Sequence, residues 1–137
     1  MIDYFKPGMD IKDLNQISAL GLAHIGDAVY EICVRTYLCL EGCKAVNDFH
    51  NRTVSLVNAN FQALAADFIL PELTSEEIDV YKRGRNAKVN SIPQNSSVGQ
   101  YHSATGLEAL FGYLYLKGDS ERVNTLFSLI MENGHGT

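Results

Sequence analysis

The sequence has no tryptophan, three prolines in 137 residues and three cysteines. Each scarcity excludes something. Cys33, Cys39 and Cys43 are odd in number and contain no CxxC pair. That rules against a disulfide framework and against a zinc site, and predicts small buried apolar residues in a reducing cytoplasm. Few prolines and no sustained alternation of apolar with polar residues predict an all-helical chain. No run of 18 apolar residues exists, so no membrane span is expected. The N-terminus carries Asp3 and no apolar run, so it does not read as a signal peptide.

Another absence is local. The chain carries a net charge of −5, which taken globally argues against a nucleic-acid binder. Yet no acidic residue lies between Asp79 and Glu108, while Lys82, Arg83, Arg85 and Lys88 do. An acidic body with one basic patch can still hold phosphates. At this length, with 46% hydrophobic residues, the chain reads as one domain over residues 1–137 with one core.

Helical spacing organises that domain. Residues 1–13, broken by Pro7-Gly8, read as an arm lying on the body. A long helix is expected from about Leu14 to Leu40, closing near Gly42. A second runs from about Ala45 to Ile69 and stops at Pro71, with Val46, Phe49, Val54, Val57, Phe61, Leu64, Ala65 and Phe68 on its apolar face. Thr74-Ser75-Glu76-Glu77 is a capping box opening a short third helix, which runs into Tyr81-Lys82-Arg83-Gly84-Arg85-Asn86-Ala87-Lys88. Val89 to Ser97 reads as an exposed loop. A fourth helix spans about Val98 to Leu116 and closes at Gly118. A fifth, capped by Asp119 or Ser120, ends near Glu132, and the tail frays.

Two of these helices carry an acid in an apolar setting. In Gly21-Leu22-Ala23-His24-Ile25-Gly26-Asp27-Ala28-Val29-Tyr30-Glu31, the residues His24, Asp27 and Glu31 share one face beside Ile25, Ala28, Val29 and Ile32. A charge that close to a core needs a partner, a metal or water. Gly26 is unfavourable in a helix by roughly 0.5–1 kcal/mol relative to alanine, so its place there predicts a close approach by another backbone or a ligand. Glu108 is likewise a lone acid, with Thr105 one turn back and Gly112 one turn on. Helices with glycines beside single acids can cross closely, with the acids meeting at the crossing. Two such carboxylates would seat a hard cation such as Mg2+. The other reading, that each acid pairs with an arginine or lysine, stays open; His50 and Arg52 are candidate partners. The basic run has two readings as well. Cations suit a helix C-terminus, or Lys82, Arg83, Arg85, Asn86 and Lys88 form a phosphate-contacting loop.

The motif Ile25-Gly26-Asp27-Ala28-Val29 resembles the core of the signature helix of the ribonuclease III catalytic domain. The stretch Thr105-Gly106-Leu107-Glu108-Ala109-Leu110-Phe111-Gly112-Tyr113-Leu114-Tyr115-Leu116 is similar to that family's later catalytic helix. Asp27 matches the signature aspartate and Glu108 the later glutamate, and the resemblance covers nearly the whole chain. It departs from the usual family pattern at Ala23 and Thr105, where acids are expected. A double-stranded-RNA-binding domain is not expected. That combination is similar to the short Mini-ribonuclease III branch, which has arginine where this chain has His102.

The resemblance implies an all-α ribonuclease III-type domain forming a two-fold homodimer. It implies a cytoplasmic endonuclease for double-stranded RNA, with Mg2+ held by Asp27 and Glu108, leaving 5′-phosphate and 3′-hydroxyl ends. The expected substrate is the large-subunit (23S) ribosomal RNA precursor, cut with help from a large-subunit ribosomal protein. The rival expectation is a non-catalytic, structured-RNA-binding protein of the same fold acting in ribosome assembly. His24 and Glu31 are expected to be structural.

Overall fold

The computed structural model describes residues 1–88 and 97–133. These form seven α-helices and no strand: α1 (Ile11–Leu14), α2 (Ala19–Leu40), α3 (Val46–Val57), α4 (Ala59–Ile69), α5 (Ser75–Arg85), α6 (Val98–Lys117) and α7 (Ser120–Asn133). A 3-10 turn, Leu70–Glu72, carries Pro71 between α4 and α5.

The all-helical expectation holds, and the differences lie at helix ends. The long first helix starts at Ala19, not Leu14, because Ser18 leaves the helical region and its side chain accepts from the Gly21 amide at 3.0 Å. Residues 11–14 form a separate single turn. The helix expected over 45–69 is two helices bent by 53°. Asn58 is the cause. Its backbone is extended (ψ 160°), its Oδ1 accepts from Phe61 N at 2.9 Å, and its Nδ2 donates back to the Val54 carbonyl at 3.0 Å. One side chain thus closes α3 and opens α4. The break also spoils the single apolar stripe, so Val46, Val54, Leu64 and Phe68 are exposed.

Other boundaries agree with the sequence. Gly42 follows α2 at φ +95°, and Gly118 ends α6 at φ +88°, the left-handed conformation that glycine adopts without strain. The capping box at Thr74 and Glu77 is formed from both sides. Asp119 Oδ1 accepts from Arg122 N at 3.1 Å at the start of α7. Ser97, read as loop, is the N-cap of α6 and pairs with Gln100 in a second capping box. The rest of that predicted loop, 89–96, and the tail 134–137 lie outside the described residues. The N-terminal arm does rest on the body: Met9 N donates to the Leu116 carbonyl at 2.7 Å, and Tyr115 Oη donates to the Tyr4 carbonyl. The cysteines follow the prediction in part: Cys43 is buried, Cys33 half-buried and Cys39 exposed.

Helix α6 is the axis of the molecule. From Ala104 to Leu114 every residue except Glu108 is buried, as a helix apolar on all sides requires. Helices α2, α4, α5 and α7 surround it, and Tyr30 of α2 packs edge-on against Phe111 and Phe127. Two glycine crossings bring the helices close. A Cβ on Gly26 would lie 1.5 Å from the Glu108 carbonyl oxygen, and one on Gly112 would lie 2.0 Å from that of Leu22. On the α5 side, a Cβ on Gly84 would meet Ala109 Cβ at 2.6 Å and Gly106 Cα at 2.9 Å. These contacts are with backbone and short side chains, so any larger residue must separate the helices. The partly buried Arg122 ties the surrounding helices together by donating to both carboxylate oxygens of Glu77 and to the Glu72 carbonyl, each at 2.8 Å.

Candidate active site

The α2–α6 crossing sets Asp27 and Glu108 side by side. Gly26 puts the α2 backbone directly on the backbone of Glu108, and the next residue in α2 is Asp27. The carboxyl groups come within hydrogen-bonding reach of each other. The structure corrects one detail of the sequence reading: Asp27 does not enter the core but sits on the exposed side of α2, while Glu108 is half-buried behind it. The pair therefore opens to solvent at one end.

Burial pushes the Glu108 carboxyl up to about 8, and the hydrogen bond and negative charge of Asp27 add to the shift; a hydrogen bond from Gln62 opposes it. No arginine or lysine among the described residues pairs with this carboxyl. Among the described residues the ion pairs are Arg35–Glu31, Lys117–Glu76 and Arg122–Glu77, and none includes either acid. The reading in which each acid pairs with a base is thereby overturned. His50 and Arg52 are exposed on α3, and Glu31 is engaged with Arg35, one turn along α2. His24 is exposed.

Two close carboxylates with no base between them repel each other unless a proton or a cation lies between them. Their oxygen-only donor set suits a hard divalent ion. The set is small. Among the described residues no group of three or more His, Cys, Asp or Glu side chains could hold a metal. Ala23 is buried, and Thr105 spends its hydroxyl proton on the Tyr101 carbonyl at 2.9 Å.

The raised Glu108 value has a consequence for stability. The folded carboxyl binds a proton that the unfolded one has released, over the window between about 4.5 and 8. Its contribution to stability is therefore full below the unfolded value and is lost as pH rises through that window. Metal-free protein should lose up to about 1.4 kcal/mol per pH unit there. Glu108→Gln should remove that slope in urea titrations at pH 5, 6.5 and 8; parallel slopes in variant and parent would contradict the assignment.

Of the two readings of the basic run, Lys82, Arg83 and Arg85 follow that of the helix C-terminus, in the last turn of α5, and only Asn86 to Lys88 lie beyond it. The Thr74 cap and the tight Gly84 contact keep the helix going to Arg85. Gly84 rests on Thr105, Gly106 and Ala109, the turn of α6 that carries Glu108. The basic turn is thus fixed to the helix of the glutamate by backbone contact. Lys82, Arg83, Asn86 and Lys88 are exposed. Arg85 lies over the Tyr81 ring, 5.8 Å from its centroid, and donates to Asn86 Oδ1 at 3.3 Å. None of the four bases makes an ion pair among the described residues. The expected set therefore divides into an acid pair and a neighbouring basic turn.

The sequence reading missed Gln62. This α4 residue is buried, and its Nε2 donates to Glu108 Oε2 at 3.3 Å. Its signal was an amide sharing the helical face of Ala65, Ala66 and Ile69, hidden by reading 45–69 as one helix.

A ribonuclease III domain profile matches residues 20–119, a span that contains both acids and the basic turn. The chain belongs to the ribonuclease III family. Mini-ribonuclease 3 of Clostridium tetani is 43% identical over 121 residues, covering 88% of this chain and 80% of that protein. Mini-ribonuclease 3 of Symbiobacterium thermophilum is 45% identical over 105 residues, covering 77% of this chain and 81% of that protein. A crystal structure of a Fusobacterium nucleatum protein matches with a TM-score of 0.79 at 30% identity, covering 88% of this chain and 96% of that chain. Family membership makes this protein an endoribonuclease. The rival expectation of a purely RNA-binding member finds no support in these relatives.

Proposed function

We propose that this endoribonuclease cuts double-stranded RNA in a Mg2+-dependent reaction at Asp27 and Glu108, and that its substrate is the structured end of the large-subunit (23S) ribosomal RNA precursor. The observation that carries the chemical part is the acid pair: two carboxylates within hydrogen-bonding reach, open to solvent at one end and with no basic partner among the described residues. Support for the ribosomal substrate comes from kinship with Mini-ribonuclease 3 proteins.

When bound, Mg2+ supplies an activated water and stabilises charge on the scissile phosphate. Asp27 and Glu108 would hold the ion, a set of two carboxylates that leaves room for oxygen donors from the RNA. Lys82, Arg83, Arg85, Asn86 and Lys88 hold the backbone of the same duplex. A-form RNA offers shape, phosphates and 2′-hydroxyls instead of a readable major groove, so these contacts are largely indifferent to sequence. Two copies related by a two-fold axis supply one acid pair per strand. Exposed Leu20 on α2 and exposed Leu64 and Phe68 on α4, the helices that flank the acids, are apolar surface available to a second copy. A large-subunit ribosomal protein on the same RNA is the remaining expected partner.

Incubating duplex RNA with Mg2+ and either the parent protein or Asp27→Asn tests the chemical reading; equal cleavage by both would reject it. The basic turn has its own test. Removing Arg83 and Arg85 together should lower duplex affinity at least tenfold and reduce the slope of log K against log salt by about 2. Electrophoretic shifts at four salt concentrations read both quantities, and unchanged values would exclude the turn from the RNA interface.

A further inference from the structure

Gln62 is 3% exposed and lies on the face of α4 that otherwise carries Ala65, Ala66 and Ile69. An amide in such a stripe is less favourable than leucine, of nearly the same volume, unless its hydrogen bonds are made. Core packing therefore gives no reason for it. Its side chain reaches 46 residues along the chain to Glu108, where Nε2 donates to Oε2 at 3.3 Å. The donor must be the amide nitrogen, because the amide oxygen would repel a carboxylate.

We propose that Gln62 is a positioning residue for the cation site: it engages one oxygen of Glu108 and so aims the rest of that carboxyl at a divalent cation shared with Asp27. The inference rests on the two-acid reading above. The glycine crossing fixes the Glu108 backbone against α2, but three side-chain torsions still separate that backbone from the carboxyl group. In a site with more protein ligands the metal itself would order each one. Here no third His, Cys, Asp or Glu joins the pair among the described residues, so the orientation of Glu108 depends on its other bond. Groups that hydrogen-bond a metal ligand from behind set its angle in this way.

The test uses two variants that keep volume and remove the donor, Gln62→Leu and Gln62→Met, with Asp27→Asn beside them. Mn2+ binding to the RNA-free protein is measured by electron paramagnetic resonance, and cleavage is measured against Mg2+ and against RNA concentration. Both variants should stay folded by circular dichroism. Their Mn2+ dissociation constants and half-saturating Mg2+ should rise by about 10–100-fold. The KM for RNA at saturating Mg2+ should stay within twofold, because Gln62 is buried away from the substrate. Asp27→Asn losing Mn2+ while both Gln62 variants bind it like the parent would overturn the positioning role and leave the two-acid reading standing. Mn2+ affinity unchanged in all three would overturn both. Unfolding of both Gln62 variants at 25 °C would assign the residue to packing and also overturn the proposal.

Discussion

Gly26→Ala is expected to lower the melting temperature by roughly 12–16 °C, the equivalent of about 4 kcal/mol or more. The reason is geometric. The added methyl would stand 1.5 Å from the Glu108 carbonyl oxygen and 2.8 Å from Gly112 N. Both are backbone atoms in the middle of a buried helix, so no side chain can swing aside to make room. The helices must move apart, and α2 and α6 share the largest helix contact in the described fold. Against a typical total of about 5–15 kcal/mol, such a loss leaves a barely folded protein. Gly112→Ala, with its methyl 2.0 Å from the Leu22 carbonyl oxygen, should behave alike. Gly99→Ala is the control, since nothing lies within 4 Å of its added methyl. It should be neutral or slightly stabilising, because alanine is the better helix former. Thermal unfolding followed by circular dichroism measures all three. A Gly26→Ala protein melting within 2 °C of its parent would contradict the crossing.

Asp27→Asn should have the opposite profile, with cleavage lost and folding kept. Asparagine preserves the shape and can hydrogen-bond Glu108, but it removes half the negative charge available to a divalent ion. Losing several kcal/mol of metal-assisted stabilisation corresponds to a drop of about 10^3-fold in kcat/KM. Burial is the main cause of the raised Glu108 value, and the same substitution removes the added repulsion from Asp27, so the variant should be as stable as its parent, or more so, at pH 8. Natural active sites often sacrifice stability in this manner. Single-turnover cleavage of an end-labelled duplex, paired with urea unfolding at pH 8, reads both halves. Loss of activity accompanied by loss of stability would point to a structural aspartate.

Much of this was legible in the sequence because the local signals were strong. The capping box at Thr74, the breaks at Gly42 and Gly118 and the apolar fill of α6 each have a short-range cause, and each is where the residues predict. Gly26 and Gly112 announced a close approach, since a helix retains glycine at a cost only when something must come near. What stayed hidden depends on a side chain choosing between two roles. Asn58 reads as a polar residue on a helix surface, and only its two-sided capping reveals a bend. The basic run has the composition of a loop, yet α5 continues through Lys82–Arg85 because Gly84 is pinned to α6. Asp27 sits in an apolar stretch but faces solvent, because the residue of α2 that meets the α6 backbone is its neighbour Gly26. Gln62 was invisible because its partner is 46 residues away on another helix, and spacing within one helix cannot register a contact between two.

The most direct measurement is the binding of Mn2+ to RNA-free protein by isothermal titration calorimetry, with the parent, Asp27→Asn and Glu108→Gln compared at pH 8. The shared-cation site predicts one ion bound per chain in the parent and at least a tenfold weaker affinity in each variant. The double variant should be little worse than either single one, since both acids serve the same ion. Equal affinity in all three proteins, or losses that add as if the acids bound separate ions, would contradict it.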